Sequence, residues 1–127
     1  MHKGSCECGA VTYEATGEMR PVVACHCTQC RKTSGHFWAA TSVPSEALNI
    51  TKSDGLKWYR SSGFARRAFC TECGASLFYE MDGEGRISIG AGTLDRPTHL
   101  HTEKHIFVQD KGDYYDIPDR ETQIDRY

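Results

Sequence analysis

The chain has 127 residues, enough for one domain with a modest hydrophobic core, and we predict a single domain over residues 1–127. Charged residues make up 25% and apolar residues 39%, a balance typical of a folded protein rather than a disordered one. The net charge of -2 counts against a protein that binds nucleic acid through a basic surface.

The N-terminal residues contain no apolar stretch of the kind that forms a secretory signal. No apolar run approaches the roughly 18 residues that a membrane-spanning helix needs. We therefore expect a cytoplasmic protein without membrane contact.

Short segments that alternate polar and apolar residues predict strands, and turn-forming residues separate them along the whole chain. A turn at residues 4–9 precedes the first strand, and one helical turn is predicted at residues 28–34, ended by Gly35. Pro44 ends the strand that follows. The predicted strands are residues 10–15, 36–43, 47–51, 56–60, 75–81, 86–92 and 104–108.

No long amphipathic helix and no repeat interrupts this series of short strands. The pattern predicts a mainly β fold of the sandwich or barrel type. Beyond residue 109 the chain is acidic and polar, with residues 114–115 and 117–118 as the candidate anchors. Exposed edge strands of such a fold allow a homodimer.

Seven cysteines in a chain of this kind indicate metal binding, because a reducing compartment disfavours disulfides. They form an N-terminal pair, a triplet and a second pair, which we call the knuckle pair because a glycine follows it, as in a zinc knuckle. The N-terminal pair is Cys6 and Cys8, the triplet is Cys25, Cys27 and Cys30, and the knuckle pair is Cys70 and Cys73.

Spacing leaves two arrangements of these groups open. Cys27 and Cys30 with the knuckle pair would form a zinc ribbon and leave three thiols unused. The N-terminal pair with the knuckle pair would form a closed site of four sulfurs and leave the triplet intact. We prefer the second arrangement because it uses every cysteine and ties distant parts of the chain together, and metal binding then contributes to folding.

Three protein thiolates on one zinc ion leave a coordination position for water or substrate, which is the pattern of a catalytic site. A substrate thiol could occupy that position as a thiolate. Two other states of the triplet remain open, a metal-free reduced form and a site closed by a fourth protein ligand. The candidate fourth ligands are His26, His36 and His101.

Five motifs follow one another in the chain: Gly4-Ser5-Cys6-x-Cys8-Gly9-Ala10-Val11, Cys25-His26-Cys27-x-x-Cys30-Arg31-Lys32-x-x-Gly35, Phe69-Cys70-x-x-Cys73-Gly74-x-x-Leu77-Phe78, Gly92-Thr93-Leu94-Asp95 and His105-Ile106-Phe107. In this order they resemble the glutathione-dependent formaldehyde-activating enzyme family, also called the centromere protein V family. The resemblance spans about residues 3–118.

The resemblance implies a small, zinc-stapled β-tent fold of short antiparallel strands. It implies a structural zinc on the N-terminal and knuckle pairs and a second, more exposed zinc on the triplet. It also implies a carbon–sulfur bond reaction, the addition of formaldehyde to glutathione to give S-hydroxymethylglutathione. The chain departs from the family pattern at Tyr114, where many members carry tryptophan, and this departure alters a wall of any shared pocket.

Our first hypothesis is a zinc-dependent carbon–sulfur lyase in which Cys25, Cys27 and Cys30 form the catalytic zinc site. Glutathione carries carboxylates, so Arg31 and Lys32 are candidate substrate-binding residues. His36 and Trp38 are candidates for the pocket lining, whereas His105 is expected to be a core residue. The alternatives are a non-catalytic interaction module with two structural zincs, and a zinc store or redox sensor based on the triplet.

Overall fold

Strand β2 (Val11–Ala15) illustrates how the sequence pattern becomes structure. In Val11–Ala15 the first, third and fifth side chains are buried, and the two between them are only partly covered. This is the two-residue period expected of a strand with one face on a core. The computed structural model describes all 127 residues, which fall into two compact units, 1–20 with 41–99 and 21–40 with 100–127.

The chain forms eleven strands and one short α-helix, and the predicted mainly β fold is confirmed. The α-helix is α1 (Thr28–Ser34), and three 3-10 helices span Ser45–Ala47, Ala91–Thr93 and Val108–Asp110. The strands are β1 (His2–Ser5), β2 (Val11–Ala15), β3 (Val22–Cys25), β4 (Trp38–Pro44), β5 (Leu48–Ser53), β6 (Leu56–Arg60), β7 (Ala65–Cys70), β8 (Ser76–Met81), β9 (Arg86–Gly90), β10 (Thr102–Ile106) and β11 (Thr122–Gln123).

The first unit contains an antiparallel sheet in the order β1-β2-β5 and the neighbouring strands β4, β9, β8, β7 and β6 of a second sheet. Its core includes Tyr13, whose ring meets Phe78 edge to face at a centroid distance of 5.3 Å. The Tyr13 hydroxyl lies 2.6 Å from the Thr93 hydroxyl, and burial raises the pKa of Tyr13 to about 12. Gly4 stands opposite Tyr13 in the β1–β2 register, where a Cβ would collide with the tyrosine ring.

In the second unit β10 lies between β3 and β11 and runs parallel to both, which departs from the short antiparallel strands that the resemblance implies. Parallel neighbours need a long connection, and 79 positions separate His26, just after β3, from His105 in β10. β3 pairs antiparallel with the first residues of β4.

Residues 111–127, which we call the C-terminal strap, return along β10. The amide of Ile124 donates to the carbonyl of His105 at 2.9 Å, and the amide of Val108 donates to the carbonyl of Ile124 at 3.1 Å. These backbone bonds fix the strap beside the strand that carries His105. None of the helices is long and apolar enough to cross a bilayer.

Candidate metal centres and active site

The sulfur atoms of the N-terminal and knuckle pairs lie together in the first unit, all within 4.8 Å of one another. Cys6 Sγ is 3.7 Å from Cys8 Sγ, which is 3.8 Å from Cys70 Sγ. This is the second of the two arrangements that spacing left open. We call it the four-cysteine group.

Two tight turns bring the four-cysteine group together. Cys6 and Val11 close the first turn, in which the Cys6 amide donates to the Val11 carbonyl at 3.0 Å. The second turn joins β7 to β8, and the Gly74 amide donates to the Cys70 carbonyl at 2.7 Å. Gly74 has a φ of +80°, a left-handed conformation that suits glycine.

Backbone amides also point at the sulfur atoms, as they do where a thiolate is to be stabilised. The Val11 amide donates to Cys6 Sγ at 3.2 Å. Hydrogen bonds from the amides of Cys8 and Ala75 lower the pKa of the Cys73 thiol to about 6.

These distances fit a tetrahedral zinc ion. A Zn–S bond of about 2.3 Å places neighbouring sulfurs about 3.8 Å apart at the corners of a tetrahedron. The observed separations of 3.7 and 3.8 Å match that edge. Four converging sulfurs form a closed donor set of the structural type.

The triplet lies in the second unit, with its three sulfurs within 4.8 Å of one another. Cys25 is the last residue of β3, and Cys27 caps α1 by accepting a hydrogen bond from the Cys30 amide at 3.3 Å. Cys30 is buried within the helix, which ends at Gly35 as predicted, with Gly35 in the left-handed conformation.

The crowding of the triplet favours a bound cation. The thiols of Cys27 and Cys30, together with burial, raise the pKa of Cys25 well above its usual range. Three thiolates this close repel one another, and a divalent ion among them removes that repulsion. Soft sulfur donors in this number suit zinc.

No histidine nitrogen or carboxylate oxygen joins the triplet as a fourth candidate ligand. His26 is fully buried, and both of its ring nitrogens are engaged elsewhere. Its Nδ1 lies 2.5 Å from the Tyr115 hydroxyl, and its Nε2 lies 2.8 Å from His105 Nδ1. His26 therefore does not close the site, and neither His36 nor His101 belongs to the group.

The structure places the candidate substrate-binding residues unevenly around the triplet. Trp38 is buried on β4 and pairs in register with Cys25, so it lies directly beside the triplet. Arg31 is half-buried in α1 and donates from Nε to the Asp110 carbonyl at 3.3 Å. Lys32 is exposed on the same helix.

His36 follows α1 and belongs to an aromatic cluster. Its Nδ1 lies 3.0 Å from the Tyr114 hydroxyl, and its ring centroid lies 4.4 Å from Phe37 and 4.5 Å from Tyr115. Tyr114 is 61% exposed, so the residue at the position where many resembling sequences carry tryptophan still presents an aromatic ring to solvent.

Two arginines near the knuckle pair serve the packing of the first unit. Arg66 lies over the Trp58 ring at 3.9 Å and donates to Glu80 Oε1 at 2.7 Å. Arg67 is buried and lies over the Tyr79 ring at 4.8 Å. Arg66 and Arg67 are therefore engaged within the first unit, and the candidate substrate-binding cations remain Arg31 and Lys32 of α1.

Sequence reasoning missed a chain of polar side chains behind the triplet. From His26 the chain continues through His105, whose Nε2 lies 2.7 Å from Glu121 Oε1, and in the other direction it reaches Tyr115. Burial, followed by the charges of His105, His36 and Lys111, lowers the pKa of His26 to about 4. The only sequence signal was the placement of His26 between two cysteines.

The chain is similar to known proteins in sequence and in fold. Residues 1–110 match the family described as glutathione-dependent formaldehyde-activating enzyme. A curated relative from Schizosaccharomyces pombe, named an uncharacterized lyase, is 27% identical over 120 residues, which cover 94% of this chain and 87% of the relative. A crystal structure of a Rhodobacter sphaeroides protein shares the fold, with a TM-score of 0.64 and 21% identity over 79% of this chain and 98% of that chain.

Proposed function

Because the chain belongs to the glutathione-dependent formaldehyde-activating enzyme family, we propose that it is a zinc-dependent carbon–sulfur lyase. Its substrate would be the adduct of a glutathione-type thiol with formaldehyde or another small aldehyde. One observation carries the proposal: three thiols converge on one point without a fourth protein ligand. The name of the fission-yeast relative, an uncharacterized lyase, is consistent with the same reaction class.

In the proposed reaction a thiol adds to the carbonyl carbon of the aldehyde. The sulfur–carbon bond forms, the carbonyl π bond breaks, and the proton lost by the thiol ends on the new hydroxyl oxygen. The reverse direction is the lyase reaction. No oxidant, reductant or further co-reactant is needed.

A zinc ion on Cys25, Cys27 and Cys30 would supply a soft Lewis acid with one coordination position for a substrate sulfur. The protein residues would hold this site in place and orient the thiol and the aldehyde toward each other. Orientation of two small reactants is a large part of the barrier that an enzyme can remove. Trp38, which pairs with Cys25, would exclude water from one side of the site.

The carboxylates of a glutathione-type thiol need cationic partners. Arg31 suits this role because the Asp110 carbonyl holds only its Nε and thereby directs the guanidinium. Lys32 extends into solvent from the same helix and would meet the more distant carboxylate. His36 would contribute a ring whose position is fixed by the Tyr114 hydroxyl.

The test follows adduct formation from glutathione and formaldehyde with zinc-loaded protein. We expect a rate above the spontaneous reaction that rises in proportion to protein, and the spontaneous rate alone for a folded Cys27→Ser variant. A wild-type rate equal to the spontaneous rate at every protein concentration would exclude the addition of formaldehyde to glutathione as the activity. Two tightly held ions without turnover on any thiol would favour the interaction module instead.

The substrate-binding residues are tested by steady-state kinetics. Arg31→Ala is expected to raise the KM for glutathione about tenfold, the effect of losing one charge-assisted contact. Lys52→Ala on β5, which removes an exposed lysine from the first unit, is the matched control and should leave KM unchanged. Equal KM values for wild type and Arg31→Ala would remove Arg31 from the proposed site.

A further inference from the structure

Four side chains of the second unit form one continuous hydrogen-bonded chain. It runs from Tyr115 to His26 at 2.5 Å, from His26 to His105 at 2.8 Å, and from His105 to Glu121 at 2.7 Å. The two histidines in its middle are buried, with exposures of 0% and 5%. Its two ends both belong to the C-terminal strap.

With both imidazoles neutral, one direction of donation satisfies every bond. The Glu121 carboxylate can only accept, so His105 donates from Nε2 and, as a neutral imidazole, accepts at Nδ1. His26 then donates from Nε2 to His105 and accepts at Nδ1 from the Tyr115 hydroxyl. The Gly112 amide donates to the Tyr115 oxygen at 3.3 Å, which leaves the tyrosine proton for His26.

The middle of this hydrogen-bonded chain meets the backbone of the triplet, because His26 lies between Cys25 and Cys27. The His26 amide donates to the Ile106 carbonyl at 3.0 Å, so β10 holds this residue through both its backbone and its ring. With the ring held at both nitrogens, the two peptides that carry Cys25 and Cys27 have little freedom to turn. Tyr115 and Glu121 also lie outside the residues that match the family, 1–110.

We propose that the C-terminal strap is a clamp for the triplet, in which Tyr115 and Glu121 act through His105 and His26 to hold Cys25 and Cys27 in metal-binding geometry. All four are positioning residues rather than catalytic ones. Outer partners of metal ligands commonly contribute 10- to 100-fold to metal affinity. The proposal requires that the triplet binds a metal, and it does not require turnover.

The test measures zinc release from the full-length, zinc-loaded protein to an excess of a chromophoric chelator. Two phases are expected, and the phase that Cys27→Ser removes belongs to the triplet. Tyr115→Phe and Glu121→Ala should each accelerate that phase about tenfold or more and leave the other phase unchanged. Glu121→Gln, which keeps an oxygen that accepts from His105, should stay within about twofold of wild type.

Tyr114→Phe is the matched control, because it removes the hydroxyl of the neighbouring tyrosine. That hydroxyl contacts His36 and the Gly35 carbonyl and is not part of the hydrogen-bonded chain from Tyr115 to Glu121. It should leave the triplet phase unchanged. A second readout is the visible absorption of cobalt at the triplet, which reports the geometry of its sulfur ligands. Tyr115→Phe should alter that absorption, whereas Glu121→Gln should preserve it.

Three results would overturn the clamp. In the first, Tyr115→Phe and Glu121→Ala release the triplet metal at the wild-type rate. In the second, both phases accelerate equally, which indicates a general loss of stability. In the third, the wild-type protein binds one ion only. A protein that fails to turn over glutathione and formaldehyde but shows the expected release rates would retain the clamp and lose the proposed function.

Discussion

Replacing Cys70 by serine removes a sulfur that joins two distant parts of the first unit. Cys70 is fully buried at the end of β7, and its Sγ lies 3.8 Å from the Sγ of Cys8, 62 positions earlier in the chain. A metal bridge between these positions constrains the unfolded chain in the same way as a covalent cross-link. Closing a loop of that length is worth about 4 kcal/mol at 25 °C.

Proteins of this size unfold with a free energy of only about 5–15 kcal/mol, so a metal bridge at this place would be a large share of the total. We expect Cys70→Ser to lower the free energy of unfolding by about 2–4 kcal/mol, because serine is a poor zinc ligand and the remaining thiols hold the ion weakly. The corresponding fall in Tm is about 10 °C. Urea unfolding followed by far-ultraviolet circular dichroism, with zinc and reductant present, measures the difference.

Cys27→Ser is the control for this experiment. Cys27 belongs to a group that spans residues 25–30, so a metal bound there would close only a short local loop and would constrain the unfolded chain less. We expect its loss in free energy of unfolding to be about 2 kcal/mol smaller than that of Cys70→Ser, and we expect it to abolish turnover. Equal losses of stability in Cys27→Ser and Cys70→Ser would refute the division into a structural and a functional centre.

Two further predictions concern the first unit. Gly4→Ala places a Cβ against the Tyr13 ring and the Thr93 carbonyl, so urea unfolding should show that the free energy of unfolding falls by about 1–3 kcal/mol. Gly63→Ala is the control, because its Cβ would contact no atom, and it should leave the free energy of unfolding unchanged. The Arg60 guanidinium holds the pKa of Asp82 below its usual range. The wild-type protein should therefore have a higher free energy of unfolding than Asp82→Asn at neutral pH, and this difference should vanish as the pH falls through the lowered pKa. A difference that persists at low pH would refute the second.

Local signals accounted for several elements with a buried face, whereas the buried strands β3 and β7 were not predicted. The alternation of residues 11–15 became β2, and Gly35 ended α1 where the sequence placed it. β1 escaped prediction because Gly4 in its middle looks like a turn residue. In the structure, that glycine makes room for the Tyr13 ring, a contact between residues far enough apart that no local pattern shows it.

β11 escaped prediction for a different reason. Thr122–Gln123 is exposed and joins β10 through backbone pairing. Because neither side chain is buried, the sequence shows no alternation of polar and apolar residues there. Glu121 belongs to the same C-terminal strap and lies beside His105 because of that backbone pairing. The hydrogen-bonded chain behind the triplet therefore could not be predicted from the sequence either. His105 was expected in the core, and it is buried, but its two side-chain partners, His26 and Glu121, come from two separate segments of the chain.

The cysteines were the most informative part of the sequence, because their residue type limits them to few roles. Their spacing left two arrangements open, and it gave no means of choosing between them except that one used every thiol. The sulfur positions divide them into one group in each unit. Which side chains contact a substrate depends on distances across the fold, and spacing contains no information on these.

The most direct measurement is cadmium-113 NMR of the protein with both groups loaded, before and after addition of glutathione. The account predicts two resonances. The resonance of the four-cysteine group should keep its chemical shift when glutathione is added, and the chemical shift of the triplet resonance should change as the thiol binds. A single resonance, or two that both stay in place at saturating thiol, would contradict a closed centre paired with an open one.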